Sequence, residues 1–134
     1  MSQENVEIVR ALFEAIARRD AESAVALVDP GIEVQHRGDI PELTGRDLYG
    51  YQGLTEVVAT VTADFLEFEL QPEEILDGGD EVAVVALQKG IGRASGAAVE
   101  KRLHQVWTVR QGKAVRWRIF KTRFEALEAA GLSE

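Results

Sequence analysis

The 134-residue chain has the length of one ordinary domain, and its apolar fraction of 46% and charged fraction of 28% are typical of globular proteins. It contains no cysteine, which excludes disulfides, thiolate nucleophiles and zinc sites built on cysteine. The formal net charge of −8 argues against a nucleic-acid partner, because the overall field repels phosphate.

The first half of the chain shows mostly helical spacing. Apolar residues three and four apart, from Val6 to Ile16, predict an amphipathic helix over about residues 3–19. Asp20 is a candidate N-cap for a short second helix, which Asp29-Pro30-Gly31 would end. A short strand over 32–36, a loop over 37–52 and a third helix over about 53–65 follow.

The second half shows the alternation of strands. Asp77-Gly78-Gly79-Asp80 is a turn signal, and a flexible connection is expected over 90–96. The predicted strands begin near Phe68 and then cover 82–89, 99–110 and 113–121, with a short final helix from Phe124. This order predicts an α+β fold, with a curved antiparallel sheet wrapped over three N-terminal helices. We expect one domain over 1–134 and a central pocket between helices and sheet.

The location of the protein is inferred from missing signals. The first residues are polar and acidic, unlike a secretion signal, and no apolar run is long enough for a bilayer. We therefore expect a cytoplasmic protein without a membrane partner.

Basic residues are concentrated late in the chain. Residues 93–123 hold nine of the fifteen lysines and arginines but only one acid, Glu100. They could form solvated strand faces with ion pairs to the acidic helices, or a pocket rim or partner surface that attracts an anion.

Several local phrases coincide with this order of elements. They are Asn5-Val6-Glu7-Ile8-Val9-Arg10, the stretch from Ala26 to Val34, Tyr51-Gln52-Gly53-Leu54, and the hairpin from His104 to Lys113. In these the chain resembles the nuclear-transport-factor-2-like superfamily, and within it the SnoaL-like, polyketide cyclase-like group of small bacterial proteins. The resemblance implies a cystatin-like cone, whereas the function it implies is open, because this cone serves enzymes and association domains alike.

A more distant similarity to ketosteroid isomerase suggests site residues. Laid along this chain, that enzyme's base falls on His36, its oxyanion acid on His104 and its tyrosine on Leu12. The aspartate of SnoaL-like cyclases is absent, and Trp117 stands near its place. The resemblance thus implies that the chain's two histidines face one another across the pocket, with His36 as base and His104 as oxyanion donor.

Further residues complete the expected site. The expected ligand contacts are Tyr51, Trp117, Ile119 and Leu12, with Lys121 at the mouth and Tyr49 as another candidate. Asp39 or Asp47 could orient His36. A metal site of both histidines with Asp39 or Glu33 lacks supporting spacing, so no metal or other cofactor is expected.

Strand alternation leaves the direction of His104 open. Arg102, His104, Val106 and Thr108 share one face, while Leu103, Gln105, Trp107 and Val109 share the other. Apolar count does not decide which face is covered. Following the resemblance, we place His104 inward and expect Trp107, Leu103 and Val109 to form a homodimer contact on the outer face.

Three functions remain open. The chain could be a cofactor-independent isomerase, cyclase or dehydratase that acts on a small carbonyl compound. It could instead bind a small hydrophobic molecule without turnover, or serve as a dimeric association domain.

Overall fold

The computed structural model describes residues 2–38 and 40–133, and of Ser2 it describes only the backbone. It has four helices and six strands, in the order ααββαββββα. The helices are α1 (Ser2–Ala17), α2 (Ala21–Ala26), α3 (Gly50–Thr62) and α4 (Arg123–Ala129). The strands are β1 (Val28–Arg37), β2 (Asp47–Tyr49), β3 (Phe65–Gly78), β4 (Glu81–Gly92), β5 (Ala98–Arg110) and β6 (Lys113–Phe120).

Local chemistry sets the helix ends. The Asp20 carboxylate accepts a hydrogen bond from the Ser23 N–H at 3.1 Å, which confirms Asp20 as the N-cap of α2. At α4, Thr122 and Glu125 form a reciprocal capping box. That helix ends before Gly131, whose φ of 75° favours a residue without a side chain.

Two segments predicted as irregular are partly ordered elements. The expected loop over 37–52 contains β2 and the first turn of α3, because residues 47–49 pair with β1. The expected flexible connection over 90–96 begins inside β4, which runs to Gly92 and pairs with β3 along its length.

The six strands form one curved, open sheet in the order β2-β1-β6-β5-β4-β3. Four of the five strand pairs are antiparallel, and β1 runs parallel to β6. Register shifts interrupt β3, β1 and the β5–β6 pair, and such bulges bend a sheet. The predicted α+β cone is confirmed.

The main core lies between the helices and the concave side of this sheet. Val9 and Phe13 of α1 are almost completely buried against it, as are Val34 and Trp107 of the strands. Helix α4 packs on the opposite side, where Ala126 and Leu127 cover Ala83 and Val106. The sheet therefore has two covered regions, one on each side.

Candidate functional site

A cavity of about 550 Å³ lies between the first three helices and the concave side of the sheet. We call this side the pocket face and define it by His36, Gln105, Trp107, Trp117 and Ile119. The register supports this grouping, because Trp107 pairs with Trp117, and both His36 and Gln105 pair with Ile119. Apolar side chains of the three helices form the other wall: Leu12, Ile16, Ala24, Val25, Leu54, Val58 and Val61.

Four of the predicted site residues line this cavity. His36, Leu12, Trp117 and Ile119 are all at least nine-tenths buried there. Lys121 also lines the cavity and is exposed, which places it at the entrance. Their contact with a ligand remains a prediction.

Tyr51 does not belong to this group. It lies in the first turn of α3, is 40% exposed and is not among the residues that line the cavity. Its hydroxyl donates a hydrogen bond to the Val28 carbonyl at 3.4 Å, so it ties α3 to the start of β1. Tyr49, 61% exposed, is also outside the cavity lining.

The prediction that the two histidines face one another is wrong. His104 pairs with Phe120 on β6 and with Val85 on β4. The His104–Phe120 pair is adjacent to the Gln105–Ile119 pair, one position along each strand. Successive side chains of a strand point to opposite sides, so His104 lies on the other side of the sheet from His36. We call that side the outer face and define it by Arg102, His104, Val106, Thr108, Arg116 and Arg118.

A β-bulge is the physical reason for this displacement. The turn at Gln111-Gly112 has positive φ at both residues, and a regular hairpin about it would pair His104 with Ile119. Instead Val109 pairs with Ala114 while Thr108 pairs with Arg116, so Val115 is an extra residue. Beyond the bulge, each residue of β6 pairs with the β5 residue one position later than in a regular hairpin. The side chain of that residue points to the opposite side of the sheet.

The predicted dimer contact is wrong for the same reason. Trp107 is 3% exposed and its ring stacks on that of Trp117, with ring centroids 5.0 Å apart. It also meets the edge of Phe13, and Val109 is fully buried. Leu103 lines the cavity. These side chains belong to the pocket face and its core, so they are not available for a partner subunit.

A backbone hydrogen bond fixes the ring of His36. The Gly38 N–H donates a hydrogen bond to His36 Nδ1 at 3.2 Å, and His36 is 3% exposed. An imidazole that accepts at Nδ1 carries its proton on Nε2. The hydrogen bond engages the lone pair of Nδ1, which opposes a role of His36 as a base through this nitrogen.

The two acids expected beside His36 have different outcomes. Asp47 forms an ion pair with Arg37 at 3.1 Å and a strand pair with Gln35, so it points to solvent rather than to the imidazole. Asp39 lies outside the described residues. Glu33 accepts a hydrogen bond from the Gln35 amide at 3.0 Å.

Sequence reasoning missed the polar floor of the pocket. Gln105 is fully buried, and its Oε1 accepts a hydrogen bond from the Trp107 indole N–H at 2.9 Å. Within the described part of the chain, neither Gln105 Nε2 nor Trp117 Nε1 has a hydrogen-bond partner, although both atoms are buried. The available signal was a glutamine on the strand face that also carries Leu103, Trp107 and Val109. A polar side chain among apolar ones needs hydrogen-bond partners if that face is buried.

The basic residues of the second half divide between the two faces. Lys101 and Lys121 stand at the pocket entrance together with the acids Glu42 and Asp64. On the outer face, Glu81 accepts hydrogen bonds from Thr108, Arg116 and Arg118. Two further ion pairs join Arg102 to Glu73 and Arg123 to Glu74. The acids that these arginines meet come from β3 and β4, not from the helices.

The environment of His104 is positively charged and partly dry. Burial lowers its pKa below the ordinary value, and the nearby Arg123 lowers it further, while Glu74 acts in the opposite direction. Its Nδ1 is buried and has no hydrogen-bond partner among the described residues. His104 is therefore neutral at physiological pH and lies beneath the start of α4.

Neither a metal centre nor a membrane segment emerges in the described residues. Between residues 2 and 133, Asp39 aside, no three His, Asp or Glu side chains are grouped as metal ligands. Over the same residues, each helix is too short or too polar to cross a membrane.

A second depression, of about 890 Å³, lies at the far end of the β5–β6 hairpin. Its lining mixes acids such as Glu4, Asp29 and Asp80 with Arg110 and Lys113. It lacks the apolar walls that hold small organic ligands, which makes the first cavity the better candidate site.

Comparisons with known proteins agree with this architecture. Residues 9–117 match the model of the SnoaL-like domain. The structure of TerC co-crystallised with polyporic acid is similar, with a TM-score of 0.75 and 25% identity over 96% of this chain and 98% of that one. No curated protein sequence matches the chain.

Two further solved structures share the fold. A protein described as a SnoaL-like polyketide cyclase, from Jannaschia sp. CCS1, has a TM-score of 0.73 and 20% identity, covering 96% of this chain and 92% of that one. A protein with a ketosteroid isomerase-like fold from Catenulispora acidiphila, in complex with trimethylamine, has a TM-score of 0.69 and 15% identity. That match covers 94% of this chain and 93% of the other.

Proposed function

The chain belongs to the SnoaL-like domain family, and from that membership together with its pocket we propose that it binds a small, largely apolar organic molecule. The observation that carries this proposal is the cavity of about 550 Å³ under the three helices. Cavities of roughly 300–1,000 Å³ with apolar walls and a few polar groups are typical of small-molecule sites. A hollow of this size also argues against a domain used only for association, because such a domain gains stability by filling it.

The ligands of structural neighbours support a small-molecule occupant. One neighbour was co-crystallised with polyporic acid and another is in complex with trimethylamine. These two compounds differ in size and charge, so the neighbours support the kind of site and do not identify the ligand. For this chain the walls favour an apolar body, because α1 and α3 present Leu12, Ile16, Leu54 and Val58 to it.

The proposal is tested by filling the pocket. Val58 lines the cavity and is 47% exposed, so a larger side chain there should enter the cavity without disturbing the core. We expect the hydrocarbon tetralin and the ketone 1-tetralone to bind the wild type, and Val58→Phe to weaken both by about tenfold through lost apolar contact. Isothermal titration calorimetry measures the affinities.

A matched variant serves as control. Leu66 is 57% exposed and is not among the cavity-lining residues, so Leu66→Phe should bind both compounds as the wild type does. Absence of binding to the wild type, or equal weakening by both substitutions, would contradict the pocket assignment.

Catalysis is a second candidate, favoured by the buried imidazole of His36. In that version the chain is a cofactor-independent isomerase, cyclase or dehydratase, and His36 acts on a carbonyl compound in the pocket. The hydrogen bond from Gly38 favours an imidazole that donates from Nε2 to the carbonyl oxygen over one that removes a carbon-bound proton. His104 cannot assist from the other side of the sheet.

Proton exchange tests this candidate without knowledge of the natural substrate. In this version His36 donates to the carbonyl oxygen while solvent base takes a C2 proton, and deuterium from D2O replaces that proton when the enolate returns to the ketone. The protein should therefore accelerate exchange of the C2 hydrogens of 1-tetralone in D2O, which NMR follows directly. We expect His36→Gln to lose most of any acceleration while it retains binding, since general acid–base groups contribute about 10²–10⁴-fold. Equal exchange with and without protein would favour the binder over the enzyme.

The homodimer through the outer face stays a prediction. The apolar residues first expected to form it lie on the pocket face, and the outer face instead carries the Glu81, Arg116 and Arg118 network. Sedimentation velocity gives the oligomeric state, and a monomer at high concentration would contradict the dimer.

A further inference from the structure

We infer that the floor of the pocket selects ligands that present a hydrogen-bond acceptor without a donor, and that Trp107 sets this preference by fixing the amide of Gln105. This inference rests on the proposed function, because it concerns the ligand of the same pocket. It names a carbonyl oxygen as the group recognised, and Gln105 as the residue that recognises it.

The first step is the orientation of one amide. A glutamine amide has a donor end and an acceptor end, and either can face a given direction. An indole N–H can only donate, so the 2.9 Å hydrogen bond from Trp107 Nε1 requires the oxygen of Gln105 on that side. The nitrogen of the amide must then point the other way. Trp107 itself is held by its stacking on Trp117 and its edge contact with Phe13.

The second step is a pair of donors without protein partners. Gln105 Nε2 and Trp117 Nε1 are both buried and have no hydrogen-bond partner among the described residues. Both residues line the cavity, and Gln105 pairs with Ile119, two positions along β6 from Trp117. Donors without protein partners on this floor match a carbonyl oxygen, which accepts hydrogen bonds and has no hydrogen of its own to place.

The third step concerns what the floor disfavours. An alcohol oxygen can accept from the same two donors, but its own hydrogen then meets a buried surface that already donates. A buried donor left without an acceptor lowers affinity by about tenfold. A hydrocarbon leaves the protein donors themselves unpaired and loses a similar factor. The predicted order of affinity is therefore ketone first, with alcohol and hydrocarbon weaker.

Three probes of one shape test the preference on the wild-type protein. They are 1-tetralone, 1-tetralol and tetralin, which share a bicyclic body and differ only in the oxygen group. We expect the ketone to bind about tenfold more tightly than the alcohol by calorimetry. Equal affinities for all three would overturn the inference while leaving the proposed function intact. If none of the three probes binds, the proposed function is contradicted as well.

Two substitutions then test the mechanism. Gln105→Met keeps the side-chain volume and removes the donor, so the advantage of the ketone over tetralin should fall by about fivefold to tenfold. The control is Gln35→Met, because Gln35 is half-buried outside the cavity lining and its amide donates to Glu33. We expect it to change that advantage by less than about twofold; an equal loss in both variants would overturn the assignment to Gln105.

Trp107→Phe tests whether the indole of Trp107 fixes the orientation of the Gln105 amide. Without the indole N–H the amide of Gln105 can turn and offer its oxygen to a hydroxyl. The ratio of ketone to alcohol affinity should then fall from about ten to within about threefold, although Gln105 is unchanged. A retained ratio would show that Trp107 does not set the preference. If this variant fails to fold, the comparison of Gln105→Met with Gln35→Met and the three-probe series still test the preference.

Discussion

The two faces of the sheet differ in how they hold their polar groups. On the pocket face, two buried donors, Gln105 Nε2 and Trp117 Nε1, have no hydrogen-bond partner among the described residues. On the outer face, charges are numerous and mutually paired around Glu81, and α4 covers the adjoining apolar patch. The outer face also holds two buried nitrogens without a partner among the described residues, His104 Nδ1 and Arg118 Nε. The faces therefore differ in what surrounds such groups: ion pairs on the outer face, and a largely apolar cavity on the pocket face.

The largest expected effect comes from the pocket face. Trp107→Ala removes a 97% buried aromatic side chain that stacks on Trp117, and we expect a loss of about 3–5 kcal/mol in the free energy of unfolding. Phe124→Ala, at a position that is 58% exposed, should cost at most about 0.5 kcal/mol. Chemical denaturation followed by far-ultraviolet circular dichroism measures both. Similar losses would show that the pocket face carries no special share of the stability.

An intermediate effect is expected from the outer face. Glu81→Gln weakens three hydrogen bonds at once and leaves Arg118, whose side chain is 15% exposed, without its carboxylate. We expect this change to lower the free energy of unfolding by about 1–3 kcal/mol. Glu73→Gln breaks the pair with Arg102, whose side chain is 61% exposed, and should be indistinguishable from the wild type in the same denaturation assay. If Glu81→Gln and Glu73→Gln change the free energy of unfolding equally, the network around Glu81 contributes no more to stability than an exposed ion pair does.

The smallest effect is a pH dependence carried by His104. Because burial, Arg123 and Arg102 hold its pKa below the ordinary value of 6.5, the unfolded chain binds the proton before the folded protein does. Stability from this group is therefore complete above about pH 6.5 and declines as the pH falls from there towards the folded pKa. Glu74, whose pKa is lowered by its hydrogen bond with Arg123, adds a further loss below about pH 4.5.

The variant His104→Gln isolates the first of these losses. It should flatten the decline of the melting temperature between pH 7 and pH 5 and leave ligand binding in the pocket unchanged. A slope as steep as that of the wild type would assign the pH dependence elsewhere. A change in the affinity for 1-tetralone would instead place His104 in communication with the pocket.

Much of the fold could be predicted from the sequence because it depends on local signals. The apolar spacing of α1, the cap at Asp20 and the turn at Gln111-Gly112 each act within a few residues. The pairing of β1 with β6 in parallel could not be found this way, since it joins residues about 80 positions apart in the chain, such as Val34 and Trp117.

Only part of the site could be predicted from the sequence, since neither Tyr51 nor His104 lines the cavity. Leu12, Trp117, Ile119 and His36 were assigned to the pocket and line it. His104 was misplaced because its direction was taken from the resemblance, while apolar count did not decide which face of β5 is covered. The bulge at Val115, which sets Gln105 rather than His104 opposite Ile119, is not revealed by composition. The polar floor at Gln105 was lost with the same error.

The stacking of Trp107 on Trp117 has an optical consequence. These are the only two tryptophans of the chain, and their ring planes lie 10° apart with centroids separated by 5.0 Å. Indoles this close share their excited states, so the protein carries an internal chromophore pair on the floor of its pocket. We expect a molecule that contacts this floor to change the tryptophan spectrum, which would report binding there without a label.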